Sequence, residues 1–106
     1  MALPKYEEIA HLLPSPIWQG HDDVIACHDF AWRTAFKNLK KANGSSNFVS
    51  NYIDTAFNGH LFMWDSSFIL MYGKYAKRLF LFQQTLDNFY ALQHKDGFIC
   101  REISAS

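Results

Sequence analysis

Two stretches whose apolar residues recur about every 3.6 positions constrain this chain more than anything else in it. From Asp22 to about Ala42 those residues are Val24, Ile25, Ala31, Trp32, Ala35, Phe36 and Leu39, and from about Ala76 to His94 they are Leu79, Phe82, Leu86, Phe89 and Tyr90. Such spacing gathers them on one side of an amphipathic helix. Asp29, Arg33 and Lys37 fall on the wet face of the first helix, acid first and four residues apart, which adds a little support per pair. Lys77, Gln84, Asp87 and Asn88 fall on the wet face of the second. Asp22 and Asp23 offer an N-cap and a favourable charge at the first helix's amino end, and Asn43-Gly44-Ser45-Ser46-Asn47 ends it. Asp96-Gly97 ends the second.

Shorter helices are expected on either side of this frame. One lies around Tyr6 to Leu13 and stops at Pro14-Ser15-Pro16, because both prolines lack an amide and restrict the residue before them. Another starts near Asp65 or Ser66 and runs through Phe68, Ile69, Met71 and Tyr72 toward Gly73. Residues 48–63 hold neither period. Phe48, Val49, Tyr52 and Ile53 suit a short strand there, Asn58-Gly59 signals a turn, and Phe98 to Ile103 leaves the last helix extended. The expected fold class is all-α, with helical hairpins as its repeating unit.

At 106 residues the chain is read as a single segment within one domain. Ten Lys and Arg balance ten Asp and Glu, so the net charge is zero and the electrostatic footprint of a nucleic-acid binder is missing. Basic clusters at Arg33, Lys37, Lys40 and Lys41, and at Lys74, Lys77 and Arg78, have helical spacing and read as solvated faces. Cys27 and Cys100 are far apart and outside any CxxC pattern, so they read as free buried thiols. The five histidines show no short ligand spacing, and neither a metal nor a cofactor is expected. Without a leader pattern or an apolar run of about 20 residues, no membrane contact is expected and the chain reads as cytoplasmic. Ten Phe, five Tyr and three Trp exceed what a small core buries, which points to a surface that meets something else.

The stretch FNGHLFMWDSSF, Phe57 to Phe68, holds an indole beside a carboxylate, Trp64-Asp65, at an expected helix start. An aromatic face suits the C–H face of a pyranose, and a fixed carboxylate accepts hydrogen bonds from neighbouring hydroxyls. His60 sits in the same stretch, four residues earlier. The competing reading makes Trp64 a core residue and Asp65 a plain N-cap, and the two readings are compatible because a capping carboxylate has a second oxygen. Pairs for acid–base chemistry, Asp54 with Asp65 or Asp65 with Glu102, lack any sign of the split environments such work needs. Cys27 and His28, adjacent on a helix, point about 100° apart and do not form a thiol–imidazole pair.

Trp64-Asp65-Ser66, followed one helix later by Gly97-Phe98-Ile99-Cys100-Arg101-Glu102, resembles the catalytic domain of trehalase-like glycosidases. The match is nearest to glycoside hydrolase family 63 and its mannosylglycerate-hydrolase-like relatives, and spans about residues 20–103. The resemblance implies an (α/α)6 barrel, here partial, and an inverting hydrolase of α-glucoside-like O-glycosidic bonds. Trp64, Asp65, Arg101, Glu102 and His60 would then line a substrate subsite that binds carbohydrate, with Arg101 toward hydroxyls and Glu102 orienting it. An inverting enzyme needs an acid and a base roughly 6.5–9.5 Å apart. In the family those carboxyl groups come from later parts of the barrel, so this chain is expected to be the amino-terminal part of a catalytic domain, carrying no catalytic residue and inactive alone. The alternative is a non-enzymatic helical module that self-associates as a homo-oligomer or binds a protein partner through its exposed aromatics.

Overall fold

The computed structural model describes residues 2–44, 46–55 and 58–106. Phe57, the first residue of the aromatic stretch, and Ser45, inside the loop read as a helix end, lie outside the described residues. Among the described residues the chain forms α1 (Tyr6–Ile9), α2 (Asp22–Lys37), β1 (Leu39–Lys40), β2 (Tyr52–Ile53), β3 (Leu61–Phe62), α3 (Met63–Gly73), α4 (Thr85–Ala91) and β4 (Glu102–Ile103). Short 3₁₀ turns lie at Ala10–Leu12, Lys74–Ala76 and Phe82–Gln84. β1 pairs antiparallel with β2, and β3 antiparallel with β4, in two separate two-stranded sheets. This small mixed α/β domain corrects the all-α expectation, and with it the helical hairpins of a partial (α/α)6 barrel.

The first correction arises where α2 ends. Asp22 and Asp23 sit in its first turn, as the helix dipole favours, but His21 is the N-cap and no side chain caps the end. Trp32, Ala35 and Phe36 are buried as the period demands, while Val24 is exposed. The helix stops at Lys37, not near Ala42. Leu39 stays buried in either conformation, and as a strand it gains a partner: Leu39 lies opposite Ile53 and Lys40 opposite Tyr52. The amide of Asp54 extends this pairing to the carbonyl of Asn38 at 2.9 Å. The strand suggested by Tyr52 and Ile53 is therefore present, and its mate is the segment that periodicity assigned to a helix.

A second correction splits the helix expected from Ala76 to His94. Phe80 and Phe82 are both buried and their rings meet edge to face at 5.1 Å. Residues two apart on a helix point about 200° apart, so a continuous helix sends one of them into water. The chain instead runs from the Lys74–Ala76 turn through non-helical Leu81 and the Phe82–Gln84 turn, and is α-helical only from Thr85 to Ala91. The interruption turns α4, so that Thr85, Asn88 and Phe89 are fully buried and Tyr90, expected inside, is 60% exposed.

Two apolar clusters result. One joins α2 to the segment after α3 through Trp32, Phe36, Leu39, Ile53, Phe80 and Phe82, with Phe36 and Phe82 edge to face at 5.8 Å. The other, Phe48, Tyr52, Leu61, Phe89 and Ile103, lies under the β3–β4 pair. The thiols were expected in a core, but Cys27 is exposed and Cys100 half-buried, its Sγ 3.6 Å from Nε2 of His94. Cys27 lies on the solvent side of α2, and Cys100 on the irregular segment just before β4.

Burial, with the Asp54 carboxylate adding to it, pushes the Tyr52 phenol above its ordinary value of 10.0. Because the folded state holds this proton more tightly, its contribution is complete below the unfolded value and is lost as pH rises through the folded one. Burial raises Tyr72 in the same direction. Urea midpoints should therefore fall as pH rises past the ordinary tyrosine value of 10.0, and Tyr52→Phe should flatten the fall. An equal slope in both proteins would show that Tyr52 is not its source.

Candidate functional site

The β3–β4 pair brings together residues that the sequence separates by two helices, α3 and α4, and the 3₁₀ turns between them. Gly59, at φ +80°, makes the turn before β3, and the His60 amide donates to Oδ1 of Asn58 at 3.1 Å. On the other side, Gly97 at φ +95° turns the chain back after α4, and the His94 amide donates to the Phe98 carbonyl at 2.8 Å. These turns deliver Leu61 opposite Ile103 and Phe62 opposite Glu102. The ladder continues one step into α3, where the Met63 amide donates to the Arg101 carbonyl at 2.8 Å.

Nδ1 of His60 lies 3.0 Å from Oε1 of Glu102 across this ladder. A carboxylate only accepts, so the ring nitrogen is the donor and Glu102 fixes the tautomer. Arg101 is exposed just before Glu102. Trp64 and Asp65 follow Met63 in the first turn of α3. The N-cap is Phe62, with no capping side chain, so the reading of Asp65 as an N-cap is also corrected. Asp65 is exposed at the positive end of the helix dipole. Trp64 is 75% exposed rather than a core residue. All five residues singled out in the sequence thus adjoin one strand–helix junction.

Phe68 joins them without having been singled out. Its ring lies 5.6 Å from that of Trp64 at 49°, one helical turn on, which holds the indole against α3 and leaves its outer face open. The signal was the i, i+4 aromatic pair in an otherwise apolar helix. Ser66, between them on the inner side, is fully buried and its Oγ has no hydrogen-bond partner among the described residues.

The junction is a surface, not a closed pocket. A concavity of about 430 Å³ opens beside His60 between Asn43, Ser46, Asn58 and the Ser104–Ser106 tail, and Trp64, Asp65, Arg101 and Glu102 do not line it. Among the described residues no group of three or more His, Cys, Asp and Glu is placed to hold a metal ion, and no helix is long and apolar enough to cross a membrane. Comparison with protein-family models, curated proteins and solved structures gave no match.

Chemically, the junction offers an open indole, an adjacent carboxylate free to accept, a guanidinium and an imidazole–carboxylate pair. That set suits recognition of a hydroxyl-rich ring: the indole takes its apolar face, and the charged groups take hydroxyls in charge-assisted hydrogen bonds.

Proposed function

We propose that the β3–α3 junction binds carbohydrate, contributing substrate contacts to a glycoside hydrolase that cleaves α-glucoside-like O-glycosidic bonds. One observation carries this reading: the Trp64-Asp65-Ser66 and Gly97–Glu102 motifs, far apart in the chain, adjoin through the Met63–Arg101 hydrogen bond and the Phe62–Glu102 register. Trp64 stacks on the sugar face, Asp65 accepts from two hydroxyls, and Arg101 donates to a third. His60 and Glu102 hold each other and keep Arg101's strand in place. The same pairing engages one oxygen of Glu102, which leaves the junction suited to gripping a sugar rather than cutting it. Turnover requires an acid and a base from elsewhere.

Calorimetric titration with gluco-oligosaccharides tests this. Weak saturable binding is expected, reduced at least about tenfold, or ~1.4 kcal/mol, by Trp64→Ala and by Asp65→Asn. Tyr90→Ala, which removes an aromatic also open to solvent but on α4, should leave affinity unchanged. No binding at millimolar sugar, or binding indifferent to both junction substitutions, would sink the proposal.

A further inference from the structure

α3 is assembled inside out. Its buried side carries the small residues Ser66 and Gly73, flanked by Ile69 and Leu70 against the core, while Phe68, Met71 and Tyr75 continue outward along the opposite side onto the 3₁₀ turn that follows, beside Tyr72, whose ring meets Trp32 edge to face at 5.6 Å and leaves its outer part open. A helix apolar all round is normally covered all round. Leu12, on the turn after α1, lines the same groove as Tyr75, a concavity of about 760 Å³, and extends the patch. These five side chains are between 39% and 67% exposed. The whole chain is also stretched: its radius of gyration is 15.2 Å, against about 13 Å for a compact domain of this length.

We propose that this face pairs with the same face of a second copy of the chain, the two α3 helices antiparallel about a two-fold axis. Area supports the choice of occupant. At about 200 Å² for a whole large side chain, the exposed parts of the five residues come to roughly 550 Å² per copy. Doubled by symmetry, this reaches the roughly 1,000 Å² that a specific interface must clear, so the patch is large enough to close on itself. Charge sets the direction. The amino end of α3 carries Asp65, and its carboxyl end leads to Lys74, Lys77 and Arg78, which line the groove without a carboxylate among them. Antiparallel helices bring the acidic end of each copy toward the basic end of the other, whereas parallel helices stack like ends. Each groove then receives apolar side chains from the partner. The pairing does not depend on carbohydrate, and Trp64 lies at the end of the patch rather than within it.

Sedimentation velocity of the full chain across about 5–200 μM, in the absence of sugar, should show a monomer–dimer equilibrium. Met71→Lys/Tyr75→Lys should shift the midpoint at least about tenfold toward monomer. Both positions are exposed, so an unchanged circular dichroism spectrum and melting temperature show that folding is not what was lost. Val49→Lys, exposed but outside the patch, should leave the dimer intact. A parent that stays monomeric throughout the range, or a dimer insensitive to the double substitution, overturns the pairing. Because no sugar is present, neither result bears on carbohydrate binding.

Discussion

Replacing Asn88 by leucine should destabilise the fold by about 3 kcal/mol, although the new side chain is more apolar and nearly the same size. Asn88 is fully buried on the inner side of α4. Its Oδ1 accepts from the amides of Val49 and Ser50 at 2.7 and 3.0 Å, and its Nδ2 donates to the Ser50 carbonyl at 3.1 Å. One side chain thus satisfies three backbone groups of the irregular segment leading into β2. Thr85, one turn earlier, does the same for the Ile53 amide at 3.1 Å. Leucine gains transfer energy but leaves two donors and an acceptor without partners, and orphaned buried groups cost about 1–3 kcal/mol each. Against a total stability of about 5–15 kcal/mol the loss is severe. Asn88→Asp keeps the acceptor and removes the donor, so it should fall between parent and leucine. Urea denaturation of the three proteins reads the order; a leucine variant as stable as the parent would show that the bridge to residues 49–50 contributes nothing.

The same residue shows where reading the sequence stopped working. A stripe through Leu79, Phe82, Leu86 and Phe89 is a valid helical pattern, and it puts Asn88 on the far side. Phe82 and Phe89 are indeed fully buried. What periodicity carries no trace of is the demand of residues 49–53 for donors and acceptors, which only a polar side chain on the inner face of α4 can meet. α2 was legible because its burial is a matter of area, and Trp32, Ala35 and Phe36 follow the period. Its end was not, because Leu39 satisfies the core equally well in a strand, and the strand depends on a mate at Ile53 that is distant in sequence. The candidate site divides in the same way. Trp64 and Asp65 were visible as a chemical pair, and the turns at Gly59 and Gly97 were visible as turns. The 3.0 Å contact of His60 with Glu102 depends on the β3–β4 register, which no local pattern specifies.

Gly73→Ala should destabilise the protein by about 2 kcal/mol, against the usual direction for a glycine in a helix. Elsewhere that change removes backbone freedom from the unfolded chain and adds about 1 kcal/mol of helix propensity. Here the φ of Gly73 is an ordinary −59°, so the glycine is not needed for conformation. It is needed for space. A methyl group at this position would stand 2.7 Å from Cγ and 2.9 Å from Cβ of Phe82, contacts that real methyl groups do not make. Phe82 cannot swing aside, because it is fully buried and its ring is held edge to face by Phe36 and Phe80. Because Phe82 cannot yield, the strain falls at the upper end of the overpacking range, about 3 kcal/mol, and exceeds the propensity gain by about 2 kcal/mol. The close approach also explains why α3 turns Gly73 inward: without a side chain there, Phe82 fits both against α2 and beneath the end of α3. A double-mutant cycle isolates the contact. Phe82→Leu alone should cost about 1.5 kcal/mol, but in the Gly73→Ala background much less, because the smaller side chain relieves the clash. A coupling of about 1 kcal/mol in that sense is expected. If Gly73→Ala raises the urea midpoint, or if the two changes are simply additive, α3 does not rest on Phe82 as closely as these distances require.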